Sequence, residues 1–337
     1  MKILGIETSC DECAASVVED GKNILSNIVA TQIDNHKLYN GVVPEIASRL
    51  HVEWIKSVVK EATDDSGIDL GSIDGIAVTN RPGLVGSLLV GLSFAKGLAL
   101  SLNKPYVGVD HIMAHLYAPY LENNIEYPYL GVLVSGGHTI ISHVTEFNNM
   151  EVLGTTIDDA CGEAFDKVAK FYELGYPGGI AIDRLSVEGD SEAFNFPNPS
   201  LHKGDHKYDV SYSGLKTAVI NQLDQFRNGE SEKTKANIAA SFQRAAVNIL
   251  MQRVKRALKD TGLTRVVAGG GVVANSLLRK ELLSLKNIEA IIPSMSLCTD
   301  NAAMVAGIGY HYLEQGVRSD YSLNASSRVP AFRKKYP

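Results

Sequence analysis

Two histidines stand four positions apart in the segment from Asp110 to Leu116. The pattern is typical of a strand that ends in a helix. Four residues advance a helix by about 40° beyond one turn, so the imidazoles of His111 and His115 would share a face and could bind one cation. The alternative is that one histidine caps the helix and the other faces the core. The place of the pair after a strand's carboxyl end favours a site, because α/β sheets build sites there.

Asp300 is the candidate third ligand. It precedes a run of small residues that predicts a helix, and as a single residue it would more simply cap that helix. If it instead closes on the histidines, two imidazoles and one carboxylate with open positions suit iron or zinc. No glutamate follows His111, so the H-E-x-x-H pattern of zinc proteases is missing, together with its general base.

Two glycine-rich segments suit a nucleotide. The turn Ser135-Gly136-Gly137-His138 connects two predicted strands, and its glycines would let backbone amides approach phosphate oxygens. A polar turn from Thr8 to Glu12 takes the matching place earlier in the chain. Gly269 to Gly271 follow a buried strand, and consecutive glycines there would let adenine lie against the backbone. Asn275 would supply directional hydrogen bonds to this ligand. An ordinary tight turn is the alternative for each, and neither G-x-G-x-x-G nor a Walker loop is present.

An acidic cluster enters a predicted helix between residues 158 and 167. Asp158 or Asp159 would cap this helix. Asp166, one turn inside it, could hold ribose hydroxyls, as could Asp183, because a carboxylate accepts two hydrogen bonds. Solvated surface is the simpler alternative for both of these carboxylates.

The elements that must position these groups alternate along the chain. Strands are predicted at 2–7, 14–19, 24–31, 75–79, 106–110, 129–134, 138–144 and 265–268, and helices at 45–63, within 82–102, at 162–172, 235–260, from 275 and at 301–314. Because the amino-terminal plan restarts near residue 129, the sequence predicts an α/β fold with two similar mixed-sheet lobes and a central cleft. The predicted lobes are residues 1–128 and 129–337, with the C-terminal helix packing back on the first. Residues 189–214 are predicted to form a long loop.

Composition excludes several classes of protein. With 337 residues, 45% of them hydrophobic, the chain can bury two medium cores. No apolar run approaches the roughly 18 to 20 residues of a membrane span, and no signal peptide starts the chain, so a soluble, cytoplasmic protein is expected. The four cysteines, Cys10, Cys13, Cys161 and Cys298, are too few for a disulfide scaffold. Cys10 and Cys13 form a lone C-x-x-C, which we interpret as turn residues in preference to a redox or zinc site.

The net charge of -6 argues against a protein that holds nucleic acid by bulk electrostatics. A nucleic-acid partner would have to be gripped locally or through another subunit. The candidates for local contact are the basic residues at 202–203, 206–207 and 328–335, with solvated surface as the equal alternative.

Nine motifs in one order resemble a single family over nearly the whole chain. They lie at 5–12, 41–45, 82–86, 111–115, 134–139, 158–167, 176–179, 211–216 and 269–275. Together they are similar to the motifs of the universal tRNA N6-adenosine threonylcarbamoyltransferase family, formerly labelled O-sialoglycoprotein endopeptidase. This resemblance implies the two-lobed fold of actin, sugar kinases and the Hsp70 ATPase.

The resemblance also implies an activity and its partners. Threonylcarbamoyl would pass from threonylcarbamoyl-AMP to N6 of the adenosine 3′ of the anticodon, in tRNAs that read codons starting with A. A paralogous actin-like subunit and a small ATPase would assist, and ATP or AMP could occupy the adenylate pocket.

The same resemblance assigns residues to the site. His111, His115 and Asp300 would ligate one iron or zinc ion, and Glu12 would join the two histidines as a catalytic residue. The adenylate pocket would be lined by Leu133, Val134, Ser135, Gly136, Gly137, Asp166, Gly179, Asp183 and Asn275.

The sequence departs from the family pattern at two places, and it also allows competing functions. Many relatives carry Glu and Gly where this chain has Met113 and Ala114, so a carboxylate next to the ligands is lost. Arg81 replaces a glycine that is usual before Pro82. The alternatives are a metalloprotease, a nucleotide-dependent switch without group transfer and a sugar kinase, although a kinase would hold magnesium with carboxylates and water.

Overall fold

The computed structural model describes residues 1–198 and 204–329. Its strands are β1 Lys2–Glu7, β2 Glu12–Glu19, β3 Asn23–Thr31, β4 Gly75–Arg81, β5 Tyr106–Asp110, β6 Tyr129–Val134, β7 Thr139–Glu146, β8 Asn149–Thr155, β9 Arg265–Gly269 and β10 Glu289–Ile291. Its α-helices are α1 Ile33–Lys37, α2 Pro44–Ser66, α3 Val85–Leu102, α4 His111–Tyr117, α5 Cys161–Phe171, α6 Gly178–Ser186, α7 Ser213–Asn221, α8 Lys235–Thr261, α9 Ser276–Leu283, α10 Met295–Cys298 and α11 Ala302–Glu314.

The two five-stranded sheets share one topology. The orders are β3-β2-β1-β4-β5 and, read in the same sense, β8-β7-β6-β9-β10. In each sheet the first three strands of the chain form an antiparallel meander, and the last two add in parallel through helical crossovers. The prediction of a duplicated α/β fold with mixed sheets is therefore confirmed.

The described residues form two compact units. The first holds residues 1–125 and 293–329, and the second holds residues 126–198 and 204–292. The chain thus returns to the first unit at residue 293, whereas the sequence predicted one boundary between residues 128 and 129. The returning segment brings α11 onto the sheet of the first unit.

Alternation along β1 and β4 explains how the first unit packs. Leu4 and Ile6 point into a core that α2 and α3 complete. On the other face, a Cβ on Gly5 would lie 2.3 Å from the Ala302 carbonyl oxygen, and Gly309 lies against Ala77. Small residues on both sides thus let α11 lie directly on the strands, which is the reason for its alanine- and glycine-rich sequence.

Helix α3 corrects one expectation. Its 18 residues are long and apolar enough, by length and composition, to cross a membrane, although the sequence was expected to contain no run of that length. Leu92, Ala95 and Ala99 of this helix lie in the core of the first unit, so its apolar face is accounted for by packing against the sheet.

In the second unit α5 and α8 meet through aromatic rings. Phe165 and Phe242 are both fully buried, with ring centroids 5.0 Å apart. The predicted long loop at 189–214 is broken by a short 3-10 helix at Gly204–His206 and by α7, which begins at Ser213, while residues 199–203 lie outside the described part.

Candidate metal centre and nucleotide site

The histidine pair lies on α4, directly after β5. Asp110 caps this helix, because its carboxylate accepts a hydrogen bond of 3.0 Å from the Ile112 amide. Neither histidine is therefore the cap, contrary to the structural alternative. The rings of His111 and His115 are buried, with centroids 4.5 Å apart and planes inclined by 77°.

Asp300 lies at the pair and does not cap the following helix. Asn301 takes that role, since its Oδ1 accepts from the Met304 amide at 3.1 Å. Oδ1 of Asp300 lies 3.0 Å from Nε2 of His115 and 3.6 Å from Nε2 of His111. The structure thus brings together the three predicted ligands, whose ligand atoms lie within 4.8 Å of one another.

The chemistry of this donor set fits one transition-metal ion. Two imidazoles and a carboxylate suit iron or zinc and leave coordination positions open. His111 hydrogen-bonds through Nδ1, which leaves Nε2 available toward Asp300. A ligand histidine whose other nitrogen is bonded to a carboxylate is the usual arrangement at such sites.

A buried glutamate that the sequence pattern did not single out supports His111. Glu7 ends β1 and has no exposed surface. Its Oε2 lies 3.2 Å from His111 Nδ1 and accepts from the Thr79 hydroxyl at 2.5 Å, while Oε1 accepts from the Ser9 amide at 2.6 Å. The signal in the sequence was a charged residue at the end of an otherwise apolar buried strand, where a carboxylate is costly unless it has partners.

Charges in the cluster set its protonation. Burial lowers the pKa of His111, but the negative charges of Asp300 and Glu7 outweigh burial and raise that pKa to about 9. Burial and the adjacent His111 charge lower the pKa of His115. Burial raises the pKa of Glu7, and the charge of His111 overcomes this and lowers it. The carboxylates therefore favour a positive charge at this position.

Glu12 is half-buried at the start of β2, and the charge of Asp300 acts on it. Burial, the charge of Asp300 and the charge of Asp11 raise the pKa of Glu12 well above its ordinary value. Burial and the charges of Asp11 and Asp300 likewise raise the pKa of the Cys10 thiol. The charge of Asp300 therefore acts on both Glu12 and Cys10, and Cys10 stays a neutral thiol.

In the second unit, the turn 135–137 presents backbone and not side chains. The Ser135 amide donates to the His138 carbonyl at 2.8 Å. Gly136 and Gly137 are exposed, and a Cβ added to either would meet no atom of the described residues within 4 Å. The side chains of Leu133 and Val134 are fully buried in β6, so only their backbone could face a ligand. The predicted contribution of Leu133 and Val134 to the adenylate pocket is therefore limited to their backbone atoms.

The helix α5 begins against the same turn. A Cβ on Gly162 would lie 2.8 Å from the Gly136 Cα, so only glycine fits at this close approach. Farther along, Oδ1 of Asp166 accepts from the Gly178 amide at 2.8 Å. Gly179, next to it, has open space around its Cα. Asp166 and Gly179 are therefore neighbours, as a shared ligand pocket requires.

Asp183 and Asn275 are also brought together, but they bond each other. Asn275 Nδ2 donates to Asp183 Oδ1 at 3.1 Å and to Gln243 Oε1 at 2.8 Å. Its Oδ1 caps α9 by accepting from the Leu278 amide at 3.0 Å. The Ser276 hydroxyl donates to Asp183 at 2.7 Å. The side-chain atoms expected to contact adenine and ribose therefore already have protein partners.

This network yields a stability prediction. Asn275→Ala removes a helix cap and the hydrogen bond to the Oε1 of buried Gln243, so the free energy of unfolding should fall by about 1–2 kcal/mol. Asn275→Ser keeps a capping oxygen and should recover part of the loss. Urea denaturation of the two variants and the wild type measures both effects. Equal stability of all three proteins would show that Asn275 has no capping role.

The triple glycine has a partly structural cause. Gly270 has φ of +98°, and a Cβ there would lie 2.5 Å from the Val134 carbonyl oxygen. The fold alone therefore demands glycine at this position. Gly271 has open space around its Cα, so packing does not explain it.

Asp158 and Asp159, just ahead of α5, contact residues at the start of α7 and within it. Neither aspartate caps α5, because the N-cap residue is Ala160. Asp158 accepts from the Tyr212 amide at 2.8 Å and thereby holds the start of α7. Asp159 pairs with Lys167 at 2.8 Å and with Lys216 at 2.6 Å. The prediction that Asp158 or Asp159 caps α5 is therefore wrong.

Arg81 has a local partner. Its Nε lies 3.3 Å from Oδ2 of Asp110, the residue that caps α4. The departure from glycine at this position thus adds an ion pair at the base of the histidine helix.

The predicted basic contacts are partly neutralised. His206 bonds Asp209 at 2.9 Å, and Lys207 pairs with Asp260 at 3.2 Å. Arg328 is exposed, and the other predicted basic positions, at 202–203 and from 330 onward, lie outside the described residues.

Known proteins of similar sequence share one description. The profile of the family described as tRNA N6-adenosine threonylcarbamoyltransferase matches residues 23–307. A protein of that name from Treponema denticola is 65% identical over 99% of this chain and 99% of its own length. Those from Treponema pallidum and Borreliella burgdorferi are 55% and 52% identical, over 99% and 100% of this chain and 95% and 96% of their own lengths.

Solved structures of low sequence identity share the fold. Full-length HypF in its phosphate- and nucleotide-bound form matches 94% of this chain and 47% of its own, with a TM-score of 0.61 and 16% identity. Component A of (R)-2-hydroxyglutaryl-CoA dehydratase from Acidaminococcus fermentans matches 93% of this chain and 99% of its own, with a TM-score of 0.56 and 15% identity. The sequence profile and the full-length relatives together show that this chain belongs to the tRNA N6-adenosine threonylcarbamoyltransferase family.

Proposed function

We propose that this protein transfers threonylcarbamoyl from threonylcarbamoyl-AMP to N6 of the adenosine 3′ of the anticodon, in tRNAs that read codons starting with A. The observation that carries the proposal is the 65% identity, over 99% of both chains, to a protein named for this transfer. The convergence of His111, His115 and Asp300 supports it, because the resemblance to this family implies a metal site at these three residues. The protease alternative is disfavoured, because a site of the H-E-x-x-H type would need a glutamate general base that this helix lacks.

The metal-binding role belongs to the first unit. His111, His115 and Asp300 would hold one iron or zinc ion, which when bound supplies positive charge for substrate oxygens. Glu12, half-buried next to this cluster, is the further catalytic residue of the proposal. Its carboxyl would orient the acyl donor through hydrogen bonds.

The adenylate role belongs to the second unit. The amides of Gly136 and Gly137 would hold the phosphate, since both residues are exposed and a Cβ on either would meet no atom of the described residues within 4 Å. Asp166, beside the open Gly179, would accept ribose hydroxyls. The backbone of residues 133–135 would complete the pocket, and Asp183 with Asn275 would shape it from one side. ATP or AMP would bind in the same pocket.

The chemistry asks for alignment more than for a new nucleophile. The exocyclic amine of adenosine is a weak nucleophile, so the carbonyl must arrive activated as a mixed anhydride with AMP. A C–N bond forms at N6 while the bond from the carbonyl carbon to the phosphate oxygen breaks. AMP leaves, and the amine proton passes to solvent or a carboxylate. Positioning both substrates and stabilising negative charge are the contributions expected of the protein.

No covalent enzyme intermediate is expected. The pKa of Cys161 is raised to about 12 by burial, and the pKa of Cys10 is also raised, so both thiols stay protonated and poorly nucleophilic. Intact-protein mass spectrometry after incubation with labelled donor should show unmodified chain. Trapping a threonylcarbamoyl adduct on either cysteine would refute this step of the proposal.

Binding of tRNA should depend on partners. The chain carries a net charge of -6, and the basic residues at 206–207 are already paired with carboxylates. We therefore expect the isolated chain to bind tRNA weakly, with Kd at or above about 1 μM at physiological salt. A paralogous actin-like subunit and a small ATPase should strengthen binding and support turnover. Filter binding at two salt concentrations measures this, and tight, salt-insensitive binding by the chain alone would contradict it.

The proposed function is tested by supplying the donor directly. The purified chain is incubated with threonylcarbamoyl-AMP and unmodified tRNA, with and without the two partner proteins, and digested nucleosides are analysed by mass spectrometry. The expected product is threonylcarbamoyl-adenosine at the position next to the anticodon. A tRNA with guanosine at that position is the matched control and should stay unmodified. Peptide cleavage without any nucleoside product would favour the protease instead.

A protein that modifies tRNA in this way would act in the cytoplasm.

A further inference from the structure

We infer that Glu7 is a positioning residue: it fixes His111 with its proton on Nδ1 and thereby presents Nε2 as the metal ligand. This inference rests on the proposed metal site. It adds to that site a residue from β1, more than 100 positions away from the histidine helix in the sequence.

The geometry places Glu7 directly behind His111. Its carboxylate has no exposed surface, and Oε2 lies 3.2 Å from His111 Nδ1. The Thr79 hydroxyl and the Ser9 amide hold the same carboxylate at 2.5 Å and 2.6 Å. The carboxylate is thus anchored by one donor from β4 and one from the turn directly after β1, so it offers His111 an acceptor at a fixed place.

A carboxylate in this position determines which imidazole nitrogen carries the proton. An ionised carboxylate only accepts hydrogen bonds, so the nitrogen that faces it must carry hydrogen. When a metal ion displaces the other ring proton, the lone pair lies on Nε2, the atom that is 3.6 Å from Oδ1 of Asp300. A metal ion needs that lone pair, and such carboxylate–histidine pairs orient the ring of metal ligands.

The neighbouring groups cannot supply the same constraint. The Ser9 hydroxyl is also 3.2 Å from His111 Nδ1, but a hydroxyl can donate or accept and so leaves the ring's proton position open. His115 provides an internal contrast, because its buried Nδ1 has no hydrogen-bond partner among the described residues. Glu7 therefore gives His111 a constraint that the second histidine lacks.

Glu7→Gln tests the inference because it keeps size and shape. A glutamine has one acceptor oxygen, and the Ser9 amide is a donor that needs it, so the NH2 group must face His111. The ring then accepts at Nδ1 and carries its proton on Nε2, where the metal should bind. We expect zinc affinity to fall by roughly 10- to 100-fold, measured by competition with a chromophoric chelator.

A matched control separates positioning from general disturbance of the buried network. Thr79→Val removes the other hydrogen bond to Oε2 in a nearly isosteric way and leaves the carboxylate next to His111. Its zinc affinity should change little. A second measurement needs no variant: ¹⁵N NMR of the zinc-loaded wild type should show His111 with a protonated Nδ1 and a metal-bound Nε2, so a folding failure of Glu7→Gln leaves the test intact.

The outcomes separate the inference from the function it rests on. Wild-type zinc affinity in Glu7→Gln, or zinc bound to Nδ1 of His111 in the wild type, overturns the role of Glu7 and leaves the proposed metal site standing. If the wild type binds no zinc or iron, the metal site itself is wrong and the inference falls with it. Weaker binding in Glu7→Gln but not in Thr79→Val, with the expected NMR signature, supports the inference.

Discussion

Replacing His111 by alanine is expected to remove the bound metal ion and to lower threonylcarbamoyl transfer to tRNA by roughly 100- to 1,000-fold. The imidazole is buried, and its Nε2 lies 3.6 Å from Oδ1 of Asp300, so alanine removes one of the three ligand atoms of the cluster. Metal content by mass spectrometry and the transfer rate should be measured on the same preparation.

His115→Ala is the companion variant, because His111→Ala also leaves the buried Glu7 carboxylate without its histidine. His115 bonds Asp300 at 3.0 Å, so its loss should remove the metal without disturbing Glu7. His143→Ala, on β7 of the second unit, is the matched control and should keep both metal and transfer. If His111→Ala and His115→Ala both retain full metal and activity, the assignment of these ligands is wrong.

Gly5→Ala is expected to destabilise the first unit and to weaken the metal site with it. A Cβ at this position would lie 2.3 Å from the Ala302 carbonyl oxygen and 2.8 Å from the Ala306 amide nitrogen, so helix α11 must move away from β1. Overpacking of this kind costs about 1–3 kcal/mol. Asp300 stands two residues before Ala302, so the same movement should reduce metal affinity.

The control for this substitution is another glycine on the same unit. Gly97 lies on an exposed part of α3, and a Cβ there would meet no atom of the described residues within 4 Å. Gly97→Ala should leave metal affinity unchanged and stabilise the helix by up to about 1 kcal/mol. Urea denaturation and chelator competition on both variants decide the matter. Equal stability for Gly5→Ala and the wild type would mean that α11 does not lie where the structure has it.

Much of the fold follows from sequence pattern alone. Alternating or continuous apolar runs located β1, β5 and β6, and the helical period located α2, α5, α8 and α11 within a few residues. Other elements escaped, among them β8, β10, α6 and α7, because their apolar residues form no long periodic run. The repetition of sheet order was predictable because the strand pattern restarts near residue 129.

The residues of the candidate site could be predicted from the sequence, but the hydrogen bonds between them could not. His111 and His115 could be paired from their spacing, since both lie on one helix. That Asn301 caps α11, and so frees Asp300, depends on where the helix begins. The partnership of Glu7 with His111 joins a strand to a helix across a parallel sheet, and no local pattern encodes that contact. Likewise, nothing in the sequence showed that Asn275 bonds Asp183 and Gln243.

Transfer by metal-stripped protein, before and after adding one equivalent of iron or zinc, tests the central claim most directly. The protein is stripped with a chelator, supplied with threonylcarbamoyl-AMP, unmodified tRNA and the partner proteins, and assayed for modified adenosine. The stripped protein should give little product, and recovery should saturate at one ion per chain. Full transfer by a preparation shown to contain no metal would contradict it.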